Sequence, residues 1–296
     1  MRSPLQSDGG SVLSCSRDQG WGGTTMCRWL AYAGAPQRID RLLFQPQNSL
    51  IRQSLHATMG ANTTNGDGFG LGWYGERGFP GLYRDTLPAW HDANLRSIAE
   101  QIRSRLFFAH VRASTGTSTS RENCHPFRFE NALFMHNGQI GGYAKIRRAI
   151  ENLIPGEAYD HRLGTTDSEA FFLLAIGNGL LENAPLAIAR TIRQIRGVMA
   201  EHGVEEPFRM TVAVADGERL WAARYSSNPN PPSLFYAEGG EIGVQGGEVV
   251  VEPGRGCVLV LSEPLDMHKG GWREVPAGHV LEMRSGMAHV SQLPQS

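Results

Sequence analysis

The sequence predicts an α+β fold with antiparallel sheets, and three observations lead to that prediction. First, 36 glycines among 296 residues indicate many tight turns. Second, strand-like runs come first, two helical segments follow one another, and strand-like runs then return. Third, Asp216-Gly217 lies between two of the later runs, and this dipeptide is typical of a two-residue hairpin. A parallel sheet would instead show strands and helices in alternation.

Short apolar runs bounded by polar or glycine-rich segments predict the strands. These runs are Cys27–Tyr32, Gly70–Tyr74, Leu106–Arg112, Ala132–His136, Met210–Ala215, Arg219–Tyr225, Val249–Glu252, Cys257–Leu261 and Val280–Met283. Helices are predicted over Asn94–Ser104 and over the apolar segment Ser168–Leu181. A third helix is expected to begin at Asn183 and to end at Gly203, because Ile188, Ile192, Ile195 and Met199 recur at helical spacing.

The composition restricts the classes of function. Hydrophobic residues make up 41% of the chain and charged residues 19%, as in globular proteins with a sizeable core. The net charge of −1 argues against a nucleic-acid or anionic-membrane surface, and no apolar run is long enough to cross a bilayer. The four cysteines show no C-x-x-C spacing, which favours a reducing cytoplasm. No P-loop or dinucleotide fingerprint is visible, and we expect no cofactor and no metal.

Residues 1–26 differ from the rest of the chain. They are rich in serine and glycine and lack the apolar core of a signal peptide. We interpret them as a disordered leader, a propeptide or an upstream mis-start, and residues 27–290 as one domain. Met26 could initiate translation, and loss of residues 1–26 would make Cys27 the N-terminal residue. Its thiol would then share a residue with a free α-amine, whose pKa of roughly 8 suits a general base. Taken alone, a buried cysteine in a strand is the simpler interpretation.

Two polar segments after the third predicted strand could contribute to a site. Arg112 ends that strand, and its planar guanidinium could bind a carboxylate, although, taken alone, an ordinary surface arginine is the better interpretation. Cys124-His125-Pro126 follows, and the absence of further ligands at metal-binding spacing argues against zinc. His125 is more simply part of a pocket wall, but a Cys–His dyad with His125 as the base stays open.

Two further segments allow both a structural and a functional interpretation. Asn137-Gly138 is typical of a type I′ hairpin turn, but the Asn137 amide and the Gly138 N–H could also form an oxyanion hole. Thr166 and Glu169 form a capping-box pattern at the start of the apolar helix. Asp167 would then lie in the first helical turn, where its carboxylate could bind a substrate ammonium group.

The order of these segments is more specific than any one of them. Met-Cys is followed by H-V-R-A-S-T-G, N-C-H-P-F, H-N-G and T-D-S-E. In this order the chain resembles the class II glutamine amidotransferases, which are N-terminal nucleophile hydrolases. The resemblance spans residues 26 to about 285. It is closest to small stand-alone bacterial members, including those similar to the ergothioneine-pathway γ-glutamyl hydrolase.

The resemblance implies a four-layer αββα sandwich and a role for each candidate residue. Cys27 would be the nucleophile, with its α-amine as the base, and Asn137 with Gly138 the oxyanion hole. Arg112 would bind the α-carboxylate of glutamine, with Ser114 and Thr115 nearby. Asp167 would bind the α-ammonium, and His125 would line the pocket. The segment Asn65–Gly70 is expected to be structural. The loop after Arg112 reads A-S-T-G where many members have A-T-H-G, so the contacts of Ser114 and Thr115 are open.

The expected reaction is hydrolysis of the side-chain amide of glutamine, or of a γ-glutamyl compound, through a thioester. The substrate is a small molecule, and a separate ammonia-accepting protein is possible because the chain shows no second catalytic domain. One alternative is a γ-glutamyl hydrolase that acts on a larger metabolite. Another is a binding protein in which Cys27 stays internal. A third is a penicillin or bile-salt acylase, against which the paired charges of Arg112 and Asp167 argue.

Overall fold

Two antiparallel sheets form the centre of the molecule. The computed structural model describes residues 27–56, 64–114, 118–267 and 271–295. The strands are β1 Arg28–Arg38, β2 Phe69–Trp73, β3 Gly81–Asp85, β4 Arg103–Val111, β5 Phe127–Phe129, β6 Ala132–Gln139, β7 Arg209–Ala215, β8 Leu220–Ser226, β9 Phe235–Gly239, β10 Ile242–Gln245, β11 Glu248–Val251, β12 Cys257–Leu261, β13 Arg273–Glu274, β14 His279–Arg284 and β15 Met287–Gln292. The α-helices are α1 Asp40–Leu43, α2 Leu50–Leu55, α3 Ala93–Gln101, α4 Tyr143–Glu151, α5 Gly156–Tyr159, α6 Asp167–Gly177 and α7 Ala184–Glu201.

One sheet has the strand order β13-β9-β12-β1-β4-β2-β3 and the other the order β15-β14-β8-β7-β6-β5. Strands β10 and β11 form a separate hairpin, and every recorded strand pair is antiparallel. The prediction of an α+β fold with antiparallel sheets is therefore confirmed. The expected hairpin at Asp216-Gly217 joins β7 to β8, with Gly217 at a φ of 94°.

Alternation along the strands creates three apolar layers. On β1, Leu30 and Tyr32 pack against the helices α1–α3, whereas Trp29, Ala31 and Ala33 pack against the second sheet. The helices α4–α7 cover the other face of the second sheet. Because side chains in a strand point alternately to opposite faces, each sheet is buried on both sides. The result is the four-layer αββα sandwich that the resemblance implied.

The position of helix α6 explains why its sequence is almost continuously apolar. All residues from Ser168 to Ala175 are buried, because the helix lies between α7 and the second sheet. An all-round apolar helix of this kind is expected inside a protein. Within the described residues, no helix is long and apolar enough to cross a membrane.

The element boundaries correct several predictions. The first predicted helix ends at Gln101, and Arg103 and Ser104 already belong to β4. The apolar helix ends at Gly177 and not at Leu181, whereas α7 begins after Asn183, whose side chain accepts the Leu186 N–H as an N-cap. The proposed leader, residues 1–26, and Thr115 lie outside the described residues.

Candidate active site

Cys27 immediately precedes β1, and the alternation of side chains along the strand places it on the face of Trp29, towards the second sheet. Its half-buried sulfur accepts a hydrogen bond from the Ala113 N–H at 3.4 Å, and its thiol contacts the Ala113 carbonyl oxygen at 3.5 Å. Burial raises the pKa of the Cys27 thiol, while the Ala113 N–H and the guanidinium groups of Arg112 and Arg28 act in the opposite direction. The nucleophile candidate is therefore adjacent to the loop that contains Arg112.

The loop before β2 holds Arg112 in place. The guanidinium donates hydrogen bonds to the Asp67 carbonyl at 3.2 Å, to Ser114 Oγ at 3.3 Å and to the Ser118 carbonyl at 3.3 Å. The Asp67 carboxylate accepts the Ser114 N–H at 2.7 Å, and Asp67 also donates its N–H to the Arg112 carbonyl. Arg112 is only 4% exposed, so it is not an ordinary surface arginine. Asp67, within the segment Asn65–Gly70, therefore connects the loop before β2 to the loop after Arg112.

Asn137 and Gly138 lie within β6 and do not form a hairpin turn. Asn137 pairs with Thr211, and Gly138 pairs with Met210, so the strand continues to Gln139. Gly138 has a φ of 143°, and a Cβ at this position would collide with the Arg209 carbonyl, which explains the glycine. The hairpin interpretation is wrong because long-range pairing with β7 decides the conformation here.

The Asn137 amide is a buried donor on the inner face of the second sheet. Its side chain is 2% exposed, and within the described part of the chain Nδ2 has no hydrogen-bond partner. Thr211, its cross-strand neighbour, accepts a hydrogen bond from the Trp29 indole N–H at 3.3 Å. Trp29 lies two residues after Cys27 and on the same face of the strand. The Trp29–Thr211 bond therefore joins the two sheets next to Cys27 and Asn137.

Asp167 is fixed at the start of α6 and tied to the end of β6. One carboxylate oxygen accepts the Ile140 N–H at 2.9 Å, and the other accepts the Ser168 N–H at 2.9 Å. Thr166 is the N-cap and accepts the Glu169 N–H at 3.2 Å. The reciprocal half of the predicted capping box does not form, because the Glu169 carboxylate instead accepts N–H groups from Leu163 and Gly164.

His125 is buried in a stack of aromatic rings. Its ring lies 4.4 Å from that of His110 and 4.3 Å from that of Phe127, measured between centroids. Within the described residues neither ring nitrogen of His125 has a hydrogen-bond partner, so a Cys–His dyad is not formed in this structure. Burial lowers the pKa of His125 well below its usual value and lowers that of His110 to about 3. Both rings are therefore neutral near pH 7.

The candidates thus divide between the two sheets. Cys27, Arg112 and Ser114 belong to the seven-stranded sheet and its loops, and Asn137, Gly138 and Asp167 belong to the six-stranded sheet and α6. The Trp29–Thr211 bond and the His110–His125 stack connect these halves. In the described part of the chain, no three His, Cys, Asp or Glu side chains cluster as metal ligands would.

Comparison with known proteins agrees with this geometry. The family model described as glutamine amidotransferases class-II matches residues 47–296. The chain belongs to the class II glutamine amidotransferases. It is therefore an enzyme that acts on amide bonds of a small-molecule substrate. The matched range begins after Cys27 and therefore does not include this cysteine.

Three relatives show how far the similarity extends. A probable glutamine amidotransferase, DUG3, from Saccharomyces cerevisiae is 35% identical over 88% of this chain and 82% of its own length. A gamma-glutamyl-hercynylcysteine sulfoxide hydrolase from Mycolicibacterium smegmatis is 27% identical over 91% of this chain and its whole length. The structure of a glutamine aminotransferase class-II domain protein from Silicibacter pomeroyi is 35% identical, covers 90% of this chain and all of its own, and superposes with a TM-score of 0.68. The sandwich is thus the N-terminal nucleophile hydrolase fold of this amidotransferase family.

Residues that the sequence interpretation missed surround the same site. Arg28 forms a buried ion pair with Glu263, which is 235 positions away in the chain. Ser168 accepts or donates a 2.7 Å hydrogen bond at His136 Nδ1, which connects α6 to β6. The long separation of the first pair leaves no local sequence signal. The second pair shows no local signal either, because His136 and Ser168 lie on different elements.

Proposed function

We propose that the protein cleaves the amide bond of glutamine, or of a γ-glutamyl compound, with Cys27 as an N-terminal nucleophile. The observation that carries this proposal is the position of the sulfur. It lies against Ala113, beside the buried Arg112, on the sheet face that is turned towards the second sheet, where Asn137 Nδ2 has no hydrogen-bond partner among the described residues. Nucleophile, anion-binding group and oxyanion donor would thereby share one cleft.

The proposed reaction starts with proton transfer inside residue 27. The free α-amine takes the thiol proton, and the thiolate attacks the γ-carbonyl carbon of the substrate. Charge develops on the carbonyl oxygen, where the Asn137 amide and the Gly138 N–H stabilise it. The protonated amine then gives its proton to the leaving nitrogen, and ammonia or an amine departs. Water cleaves the remaining γ-glutamyl thioester and releases glutamate.

Substrate recognition would use the two charges of the amino acid. The Arg112 guanidinium suits the α-carboxylate, with Ser114 and Thr115 in the same loop, and the Asp167 carboxylate suits the α-ammonium. The buried His125 ring would form part of the pocket wall. These ionic contacts are remote from the scissile bond, so they position it without taking part in the chemistry. An acylase substrate with a long acyl chain has no pair of charges for these two groups to bind.

Maturation is part of the proposal, because the amine of Cys27 is available only without residues 1–26. The proposed mature domain is 27–290, and the proposed location is the cytoplasm. Cys27, Cys124 and Cys257 are free thiols, which supports a reducing compartment. Ammonia could be released or passed to a separate protein.

Mass spectrometry of active protein from its own host, with a Cys27→Ala control assayed for glutamate release, tests the proposal. We expect an N-terminal Cys27 in the active protein and an inactive control. Full activity with residues 1–26 retained would refute the mechanism and favour a different enzyme, whereas an inactive protein that retains them would favour a binding protein.

A γ-glutamyl hydrolase acting on a larger metabolite is the second candidate. The similarity to the Mycolicibacterium smegmatis enzyme over its whole length favours it. Both candidates use the same residues and differ in the leaving group. Parallel assays with free glutamine and with a γ-glutamyl conjugate distinguish them through the ratio of kcat/KM values.

A further inference from the structure

The backbone of Cys27 is attached to a buried ion pair. Arg28 Nε lies 2.9 Å from Glu263 Oε2, and both side chains are 1% exposed. The same guanidinium donates a hydrogen bond from Nη1 to the carbonyl oxygen of Cys27 at 3.1 Å. One rigid, forked group therefore contacts both the carboxylate and the residue that carries the proposed nucleophile.

Glu263 is itself fixed from the helix side of the sheet. Its Oε1 accepts a hydrogen bond from Asn48 Nδ2 at 3.2 Å, and Asn48 also donates to the Pro264 carbonyl at 2.6 Å. Gln53 in α2 donates to the Glu263 carbonyl at 3.2 Å. The position of the Arg28 guanidinium is therefore determined by several elements, and it does not depend on one flexible contact.

The pair lies on the opposite side of the sheet from the cleft. Neighbouring residues of a strand alternate between faces, and Leu30 and Tyr32, on the same face as Arg28, pack against the helices. Cys27 shares the other face with Trp29. The contact of Arg28 with the Cys27 backbone therefore reaches the nucleophile from behind the sheet. A buried ion pair is weak evidence for stability, because apolar residues of similar volume are often as good.

We propose that Arg28, held by Glu263, is a positioning residue for Cys27. This inference rests on the proposed role of Cys27 as an N-terminal nucleophile. If Cys27 is the first residue, no preceding peptide unit orients it. Its carbonyl is then the main-chain group through which the following residue can hold it in place. Holding this carbonyl fixes the plane of the peptide unit between residues 27 and 28, and with it the position of the Cys27 Cα, from which both the thiol and the amine extend.

The first test is Arg28→Lys. Lysine retains the charge and can pair with Glu263, but its single ammonium group cannot reproduce the fork that also reaches the Cys27 carbonyl. We expect kcat to fall on the order of 10- to 100-fold, as for other small displacements of reacting groups, with an unchanged KM. The assay uses L-glutamine or γ-glutamyl-p-nitroanilide, whichever is turned over faster. Activity is normalised to the fraction of Cys27 that iodoacetamide alkylates.

The second test is Glu263→Gln, which removes the negative charge that pairs with Arg28. A positive charge near residue 27 favours the neutral amine and the thiolate, so the acidic limb of kcat/KM should move to lower pH by on the order of one unit. Glu274→Gln is the matched control. It removes the carboxylate partner of another buried arginine, Arg224, whose contact with Glu274 Oε1 is 2.7 Å. The control should keep the wild-type kcat and pH profile.

The outcomes separate the two proposals. The positioning role is overturned if Arg28→Lys keeps the wild-type kcat and the acidic limb of the pH profile does not move in Glu263→Gln. This holds even if both variants melt at a lower temperature. A raised KM at unchanged kcat would overturn it as well. If Arg28→Lys does not fold, the pH profile of Glu263→Gln decides. An active Cys27→Ala protein would instead refute the proposed function itself.

Discussion

Replacing Asn137 by alanine should separate activity from stability. Its amide is buried without a hydrogen-bond partner among the described residues, and such a donor costs about 1–3 kcal/mol in the folded protein. Alanine removes this cost together with some packing contacts, so we expect the melting temperature to stay the same or to rise. In the transition state, the lost oxyanion donor should cost about 3–4 kcal/mol, which corresponds to a fall in kcat of roughly 100- to 1000-fold.

The assay combines steady-state glutamate release with thermal unfolding. KM should change little, because the donor acts mainly on the charge that develops during the reaction. Asn131→Ala is a matched control, since Asn131 precedes the other end of β6 and donates a 3.0 Å hydrogen bond to the Asp216 carbonyl. The control should lose about 1 kcal/mol of stability and keep its kcat. If Asn137→Ala retains kcat within threefold, or if its activity falls only in proportion to unfolding, the oxyanion assignment is wrong.

Three further predictions concern neighbouring residues. Gly138→Ala should destabilise the fold by about 1–3 kcal/mol in urea titrations, because φ is 143° and the new Cβ would meet the Arg209 carbonyl; an unchanged midpoint would contradict this. Arg112→Lys should raise KM for glutamine more than tenfold while the protein stays folded, since lysine lacks the fork for a carboxylate; equal KM values would exclude the clamp. His110 has a pKa of about 3 in the folded protein and of roughly 6.5 in the unfolded chain. At pH values between these two, the unfolded chain therefore binds one more proton than the folded protein. The free energy of unfolding should therefore decrease below about pH 6.5, by up to about 1.4 kcal/mol per pH unit, and His110→Phe should lose this component in unfolding measured at pH 5 and pH 7.

Local patterns predicted the elements with strong periodicity. The helix α7, its N-cap Asn183 and the β7–β8 hairpin follow from side chains that are close together in sequence. Asn137-Gly138 shows the limit of such patterns. The dipeptide favours a turn, but seven residues of β6 pair with β7, which is about 70 positions away, and this pairing keeps the strand extended.

Other features carry no local signal at all. The edge strand β3 is half-buried along its whole length, so its sequence lacks the alternation of a strand with one buried face. Helix α4 begins at Tyr143 after the N-cap Gly142, which has a left-handed φ of 62° and provides no side-chain cap. The ion pair of Arg28 with Glu263 and the hold of Asp67 on Arg112 exist only after distant segments meet. The order of several motifs selected the candidate residues, and their catalytic roles stay predictions.

The Cys27 sulfur and the Asn137 amide lie on different sheets. The distance between them therefore depends on the side chains that are packed between the two sheets. This layer of side chains includes several small ones, among them Ala31, Ala213 and Ala222. Enlarging one of them would wedge the sheets apart without touching any reacting group. A displacement of 1 Å can reduce a rate about 100-fold. The thickness of this inert spacer is thus under the same functional constraint as the residues that perform the chemistry.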